Sequence, residues 1–278
     1  MSKPIVAIMY DFDKTLCTKD MQEYAFIPSV GLSASEFWIK CDKLSKEEKM
    51  DKILSYLYLM IKESNSHDMP IKRETFNNAG KNIEFFPGVL TWFKRINEYG
   101  KSIGIDVEHY IISSGLKEII EGSEIAKEFK EIYACEFLYN VNGVAIWPKL
   151  VVNYTTKTQF LYRINKGVLD VSNDNDLNKY IENDKRRIPF RNMIYIADGI
   201  TDIPCMKLVK SNGGKSIAVY TDKSKDLANT LLNEKRVDFI APSNYEENSQ
   251  IDIIMKRILD SLKAINEIVD IHHKQLNK

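Results

Sequence analysis

The sequence predicts an α/β protein built on a doubly wound, mainly parallel sheet that carries a helical insertion. Three observations lead to that prediction. Short apolar runs of strand length alternate with amphipathic helical segments, the pattern of a parallel sheet covered on both faces. The first run, Ile5–Tyr10 (IVAIMY), is continuously apolar, as a strand buried on both sides must be. Residues 17–85, between that strand and the next, show only helical patterns.

Bulk properties narrow the class. A chain of 278 residues with 44% hydrophobic content holds one large domain or two smaller ones, with a full core. Lys+Arg and Asp+Glu balance at 39 each, which argues against a nucleic-acid binder held by broad positive charge. Cys17, Cys41, Cys135 and Cys205 are scattered without a Cys-x-x-Cys, as expected of reduced thiols. The N-terminal MSKPIVAIMYDFD runs straight into the first strand without a signal-peptide pattern, and no run approaches the ~18 apolar residues of a membrane helix. A soluble cytoplasmic protein is expected, with no membrane or nucleic-acid partner and an open oligomeric state.

Each element has its own signal. Ser33–Glu36 and Ser45–Glu48 both read as capping boxes, the second opening a helix with Met50, Ile53, Leu54, Leu57, Tyr58 and Ile61 on its apolar face. Asn65–Pro70 breaks the pattern, and a further helical piece runs to about Ile83. Phe86-Pro87-Gly88 starts a helix over Val89–Tyr99, with Leu90, Phe93 and Ile96 facing inward and Gly100 as its C-terminal cap. Glu108–Ile112 is a second buried strand and ends in Ser113-Ser114-Gly115; a helix opens at Leu116. Ile132–Tyr139 and Val144–Val152 flank Asn140–Gly143 as a hairpin, and Thr156–Gly167 is a helix. The polar stretch Gly167–Pro189 reads as a solvated excursion, or as a basic contact site at Lys185–Arg187. Met193–Ala197, Ser216–Tyr220 and Val237–Ala241 are further strands. Ile251, Ile254, Ile258, Leu262 and Ile265 mark a last helix docked on the sheet, with a frayed tail at His272-His273.

Three apolar strands end in groups suited to phosphate chemistry: Asp11 and Asp13, then Ser113, then Asp198 with Asp202. In a doubly wound sheet such strand ends converge on one crevice. Lys157 opens the helix after the hairpin. A phosphate-ester hydrolase needs an oxygen nucleophile, an acid for the leaving alkoxide and positive charge around the phosphoryl oxygens. A carboxylate serves as the nucleophile, Mg²⁺ suits an all-oxygen carboxylate site, and a lysine adds a point charge. Lys149 or Lys166 could stand in for Lys157, Ser114 for Ser113, and Asp202 could be only a helix N-terminal charge.

The ordered set DFDKT, IISSG, Lys157 and ADGITD resembles the four motifs of the haloacid dehalogenase-like (HAD) superfamily, from Asp11 to Asp202. The phosphoserine phosphatase-like branch is the most similar pattern, because its cap lies between the first two motifs and KTQFLYRI matches its third-motif segment. The resemblance implies a Rossmann-like HAD core at 1–16 and 86–278 and a helical C1-type cap at 17–85. It implies that Asp11 is the nucleophile and a Mg²⁺ ligand, and that Asp13 is the general acid/base, its carbonyl a second ligand. Thr15 would steady the loop on the substrate side, Ser113 bind the phosphoryl group and Lys157 orient it. Asp198 would be the fourth-motif metal ligand, and Asp202 would support the metal shell or Lys157. Asp20 matches an acidic position that grips the substrate amine in phosphoserine phosphatases.

The sequence departs from that branch. Ala197-Asp198 stands where Gly-Asp is usual, Ser-Ser-Gly where Ser-Gly-Gly is typical, the segment from Lys157 to Asp198 is longer, and the cap offers no arginine for a substrate carboxylate. These differences bear on phosphoserine as substrate rather than on the phosphatase chemistry. DKTL resembles the DKTG of ion-pumping ATPases only out of frame, and Asp13 disfavours dehalogenase chemistry. The expectation is a Mg²⁺-dependent phosphomonoesterase acting on a small phosphorylated metabolite through an aspartyl-phosphate. A phosphotransferase using the same intermediate and a non-catalytic phosphate-ligand-binding regulatory protein are the alternatives.

Overall fold

A computed structural model describes residues 3–24 and 26–276, so the outermost ends of the expected core lie outside the described residues. Seven strands form one sheet in the order β4-β3-β2-β1-β5-β6-β7: β1 Ile5–Tyr10, β2 Asp106–Leu116, β3 Glu131–Tyr139, β4 Ala145–Leu150, β5 Met193–Ala197, β6 Lys215–Tyr220 and β7 Phe239–Pro242. All neighbours are parallel except the β3–β4 hairpin. β1 sits centrally and, like its neighbour β5, is buried on both faces; Val6 to Tyr10 are fully enclosed. Its registers, Tyr10 opposite Ile111 of β2 and opposite Ile196 of β5, bring three strand ends level at one edge.

Between β1 and β2 lie the helices α1 Phe26–Ser29, α2 Ala34–Glu47, α3 Lys52–Ser66 and α4 Arg73–Gly80. The remaining helices are α5 Val89–Ser102, α6 Lys117–Glu121, α7 Lys157–Lys166, α8 Asp174–Asn178, α9 Ile203–Ser211, α10 Lys225–Asn233 and α11 Gln250–Leu276. The inserted helices are tied down at two places. α4 packs backbone to backbone against α6, where Gly80 and Gly122 leave no room for a Cβ. The chain before α4 pairs with the hairpin through Ala145 N–H to Ile71 O at 2.8 Å.

Several local expectations are corrected. The Ser33–Glu36 capping box is present, but Ser45 lies inside α2 and its hydroxyl donates to Met50 O at 2.7 Å. Asp51 caps α3 instead, accepting from the Ile53 and Leu54 amides, which rotates the inward face to Ile53, Tyr56, Leu57 and Met60 and leaves Leu54 and Tyr58 exposed. In α5, Trp92, Phe93 and Ile96 face inward while Leu90 is exposed, and Gly100 is buried within the helix rather than capping it. A Cβ there would meet Val107 Cγ2 at 2.7 Å, so packing requires the glycine. Of the alternative basic contact site, Arg186 and Arg187 are held by Asn165 and Glu108, while Lys185 stays exposed and pairs with Glu182. The tail is not frayed, since α11 runs through His272 and His273 to Leu276.

Candidate active site

The chain leaves β1 through Asp11, whose N–H still bonds Ile196 O at 3.0 Å, and turns at Lys14, which takes a left-handed φ of 56°. A non-glycine residue in that region costs of order 1 kcal/mol and persists where the surroundings enforce it. Asp13 is held by the Met21 amide, which donates to its Oδ1 at 2.8 Å. At the end of β2 the register with β3 breaks between Ile112 and Leu116. Ser113, Ser114 and Gly115 thus bulge out of the ladder, and the Gly115 N–H donates to Ser113 Oγ at 3.0 Å.

Lys157, at the first turn of α7, is 1% exposed, and its Nζ lies 3.0 Å from Asp11 Oδ1 and 2.7 Å from Asp202 Oδ1. Burial disfavours the ammonium, but the charges of Asp11 and Asp202 overcome it and hold its pKa above the usual value. The alternatives are occupied elsewhere: Lys149 pairs with Glu136, and Lys166 donates to the Leu177 and Lys179 carbonyls.

Oxygens of Asp11, Asp198 and Asp202 all lie within 4.8 Å of one another. They are not equivalent. Asp202 is fully buried and accepts from Lys157, from Tyr195 Oη at 2.6 Å and from Thr201 Oγ1 at 2.7 Å. Two donors on Oδ1 and one on Oδ2 hold it in place, and it anchors the lysine. Asp198 accepts no hydrogen bond from the described residues; burial first, then the charge of Asp11, pushes its carboxyl up to about 8. Burial and the charge of Asp202 likewise raise Asp11 to about 6, against the pull of Lys157. Asp13 is raised well above the carboxylate range by burial and by the charges of Asp20 and Asp11. Such crowding of carboxylates against one buried ammonium fits a hard divalent cation, whose ligands are oxygens and whose charge relieves the repulsion.

Asp11, Asp13, Ser113, Ser114, Lys157 and Asp198 line one cavity of about 360 Å³. Asp20 lines it too, but its carboxylate is 2.5 Å from Lys14 Nζ and so is already paired, against the expectation of a free amine grip. Thr15 lies off the substrate side. Its side chain is wholly buried outside the cavity wall, and it acts through the loop: its carbonyl accepts from Tyr245 Oη at 2.9 Å. The outer wall comes from residues that the motif reading did not single out, among them Gln22, Trp38, Lys52 and Tyr56 of the inserted segment and Tyr154 beside α7. Tyr56 Oη donates to Ser114 O at 2.7 Å and joins α3 to the β2 bulge. No periodicity marks these residues, because they meet only in the folded chain.

No family model matches the chain. It is 29% identical to an uncharacterized protein of Borreliella burgdorferi over 91% of this chain and 96% of that one. Its structure superposes on a HAD family hydrolase from Salmonella enterica serovar Typhi with a TM-score of 0.59 at 16% identity, covering 92% of this chain and 72% of that one. A phosphoserine phosphatase carrying a phospho-aspartyl intermediate analogue gives 0.54 at 15%, covering 92% and 99%. The chain therefore has the fold of the HAD-like hydrolases, in its phosphoserine phosphatase-like form.

Proposed function

We propose that this chain, on its HAD-like fold, is a divalent-metal-dependent phosphomonoesterase that works through an aspartyl-phosphate on Asp11. The observation that carries the reading is the placement of Asp11: one buried carboxylate shares an ammonium with Asp202, neighbours the unpartnered Asp198 and opens on a cavity beside Asp13 and Ser113.

An Asp11 carboxylate oxygen attacks phosphorus, and the bond to the leaving oxygen breaks. Asp13, whose neutral form is favoured by burial and by the charges of Asp20 and Asp11, gives its proton to the departing alkoxide. Lys157 and the donors at Ser113 and Ser114 balance the phosphoryl charge. Water then attacks phosphorus, Asp13 takes its proton back, and phosphate leaves with Asp11 restored. Asp11 and Asp198, with the Asp13 carbonyl, are the residues that would hold Mg²⁺, which supplies positive charge where carboxylate meets phosphate. The helical segment 17–85 serves as a cap that encloses the leaving group and limits water, with the core at 1–16 and 86–278. The substrate is a small phosphorylated metabolite. Four buried, unpaired cysteines support a cytoplasmic location.

The test uses purified protein, Mg²⁺ and an aryl phosphate, with Asp11→Asn alongside. Hydrolysis abolished by EDTA and by the substitution is expected. Metal-independent turnover, or an active Asp11→Asn protein, would overturn the mechanism. If a second alcohol raises turnover by accepting the phosphoryl group, the phosphotransferase alternative holds; ligand binding with no turnover would leave the regulatory one.

A further inference from the structure

The outer half of the cavity combines satisfied charges with unsatisfied neutral groups. Lys14 pairs with Asp20 at 2.5 Å, Lys52 with Asp42 at 3.0 Å and Lys157 with Asp11 at 3.0 Å, and no arginine lines the wall. A second anionic group on a substrate would therefore meet no unpaired cation among the described residues. In the outer half, an ammonium group would meet Asp20 and Asp42 already paired with Lys14 and Lys52.

The neutral groups differ. Gln22 is 2% exposed, lines the cavity and has no side-chain hydrogen bond to the described residues, its Oε1 being buried without a partner. Trp38 Nε1 and Ser114 Oγ in the same wall are also buried without partners. The Glu23 carboxylate is near enough to feel the Trp38 N–H, yet lies outside hydrogen-bonding geometry with it. Buried polar groups are nearly always paired in native proteins, so several orphans around one cavity point to partners that arrive from outside. An amide offers both a donor and an acceptor, and an indole N–H offers a donor; hydroxyl groups can answer all of these. The rings of Trp38, Tyr56 and Tyr154 supply flat walls beside them.

We propose that the leaving group is an uncharged polyhydroxylated alcohol, so that the substrate is a polyol or sugar monophosphate, and that Gln22 and Trp38 determine this specificity. The proposal rests on the phosphomonoesterase reading. It separates this site from one built for an amino-acid phosphate, which needs a free cation and a free carboxylate together.

Calorimetry in Mg²⁺ on the Asp11→Asn protein, where no turnover intervenes, tests it. Glycerol phosphate or a hexose phosphate should bind at least roughly 10-fold tighter than phosphoglycerate, phosphoserine or phosphoethanolamine. That margin should collapse when Gln22→Leu is added. Trp38→Phe, which removes the N–H and keeps a ring, should narrow it as well and decides the matter if the leucine variant does not fold. Equal or tighter binding of the charged esters, or a margin that both substitutions leave intact, would overturn the proposal. Turnover of p-nitrophenyl phosphate by the unsubstituted protein reads the phosphatase chemistry separately. Its absence with the margin present removes that chemistry alone, and its presence without the margin removes only the specificity.

Discussion

Lys157 Nζ lies 3.0 Å from Asp11 Oδ1, a largely buried ion pair at the cavity wall between residues 146 positions apart. Its second partner, Asp202, is equally buried, so removing the ammonium leaves two carboxylates uncompensated. Breaking a buried pair in this way costs about 3–5 kcal/mol. Lys157→Met should therefore lose that much stability to urea in metal-free buffer and about 10²–10³-fold in kcat/KM on an aryl phosphate. A variant that is inactive but fully stable would show that the lysine does not hold the carboxylates.

Mg²⁺ should stabilise the folded protein in the absence of substrate. A ligand that binds only the native state at 100 times its Kd adds about 2.7 kcal/mol. Because Asp198 has no hydrogen-bond partner among the described residues, it is free to take the ion, whereas Asp202 is committed to three donors. The rise in Tm on adding Mg²⁺ should vanish in Asp198→Asn. A rise of the same size in both proteins would place the ion elsewhere.

The hydroxyl of Tyr56 reaches from α3 to the Ser114 carbonyl at 2.7 Å. Tyr56→Phe keeps the ring in its packed position and deletes that bond. A loss of about 0.5–1.5 kcal/mol in stability is expected, the ordinary net worth of one hydrogen bond. Since the same bulge carries the serines proposed to bind the phosphoryl group, kcat should fall more than KM changes. Steady-state kinetics with the stability measured alongside would separate the two effects.

Much of this fold was legible because burial leaves a period in the sequence. β1 could be read from six consecutive apolar residues, and the four motifs from polar residues placed after buried strands. Local chemistry was less decisive. Ser33 and Ser45 carry the same capping pattern, yet Ser45 falls inside a helix because the chain continues through it and Asp51 takes the capping role. Asp198 and Asp202 look alike in sequence; Tyr195 and Thr201 decide which one is tied down by hydrogen bonds. The outer cavity wall was not legible, because Gln22, Trp38 and Tyr154 come from segments whose packing fixes their direction.

Two neighbours on β2 each contribute stability that is lost as pH falls. His109 is buried; Trp92 Nε1 donates to Tyr10 Oη, so Tyr10 donates to His109 Nδ1 and the Nε2–H faces Asn97 Oδ1. That neutral arrangement has no place for a second proton, and burial pushes the imidazole down to about 3 from 6.5. Between these values the unfolded chain binds a proton that the native one does not, so stability drops as pH falls below 6.5. Burial works against the Glu108 carboxylate, but Arg187 and Lys130 lower it to about 2 from 4.5; its contribution is complete above 4.5 and lost as pH falls toward 2. Asp11 and Asp198, raised to about 6 and about 8, act in the opposite sense over part of this range, so each contribution is read as a difference between proteins. The gap in urea midpoint between the unsubstituted protein and His109→Gln should shift against the unsubstituted protein as pH falls below 6.5, and the gap to Glu108→Gln should close as pH falls below 4.5.

The contact between α4 and α6 gives the sharpest steric prediction. Gly122 follows α6 with an ordinary φ of −79°, so an alanine there meets no backbone strain and acts by volume alone. Its Cβ would lie 2.6 Å from the Asn77 carbonyl carbon and 2.7 Å from Asn77 Cα, main-chain atoms that cannot rotate away. α4 must therefore lift, and with it Phe76, whose ring stacks on Phe137 of β3 at 6.3 Å. Overpacking of this kind costs about 1–3 kcal/mol. Gly122→Ala should lower Tm accordingly, although the substitution touches none of the cavity-lining residues. Because α4 is one of the places that fix the inserted helices on the sheet, displaced Gln22 and Trp38 should also weaken substrate binding, seen as a higher KM at nearly unchanged kcat. A stable protein with an unaltered KM would mean that the helical segment is positioned without this contact.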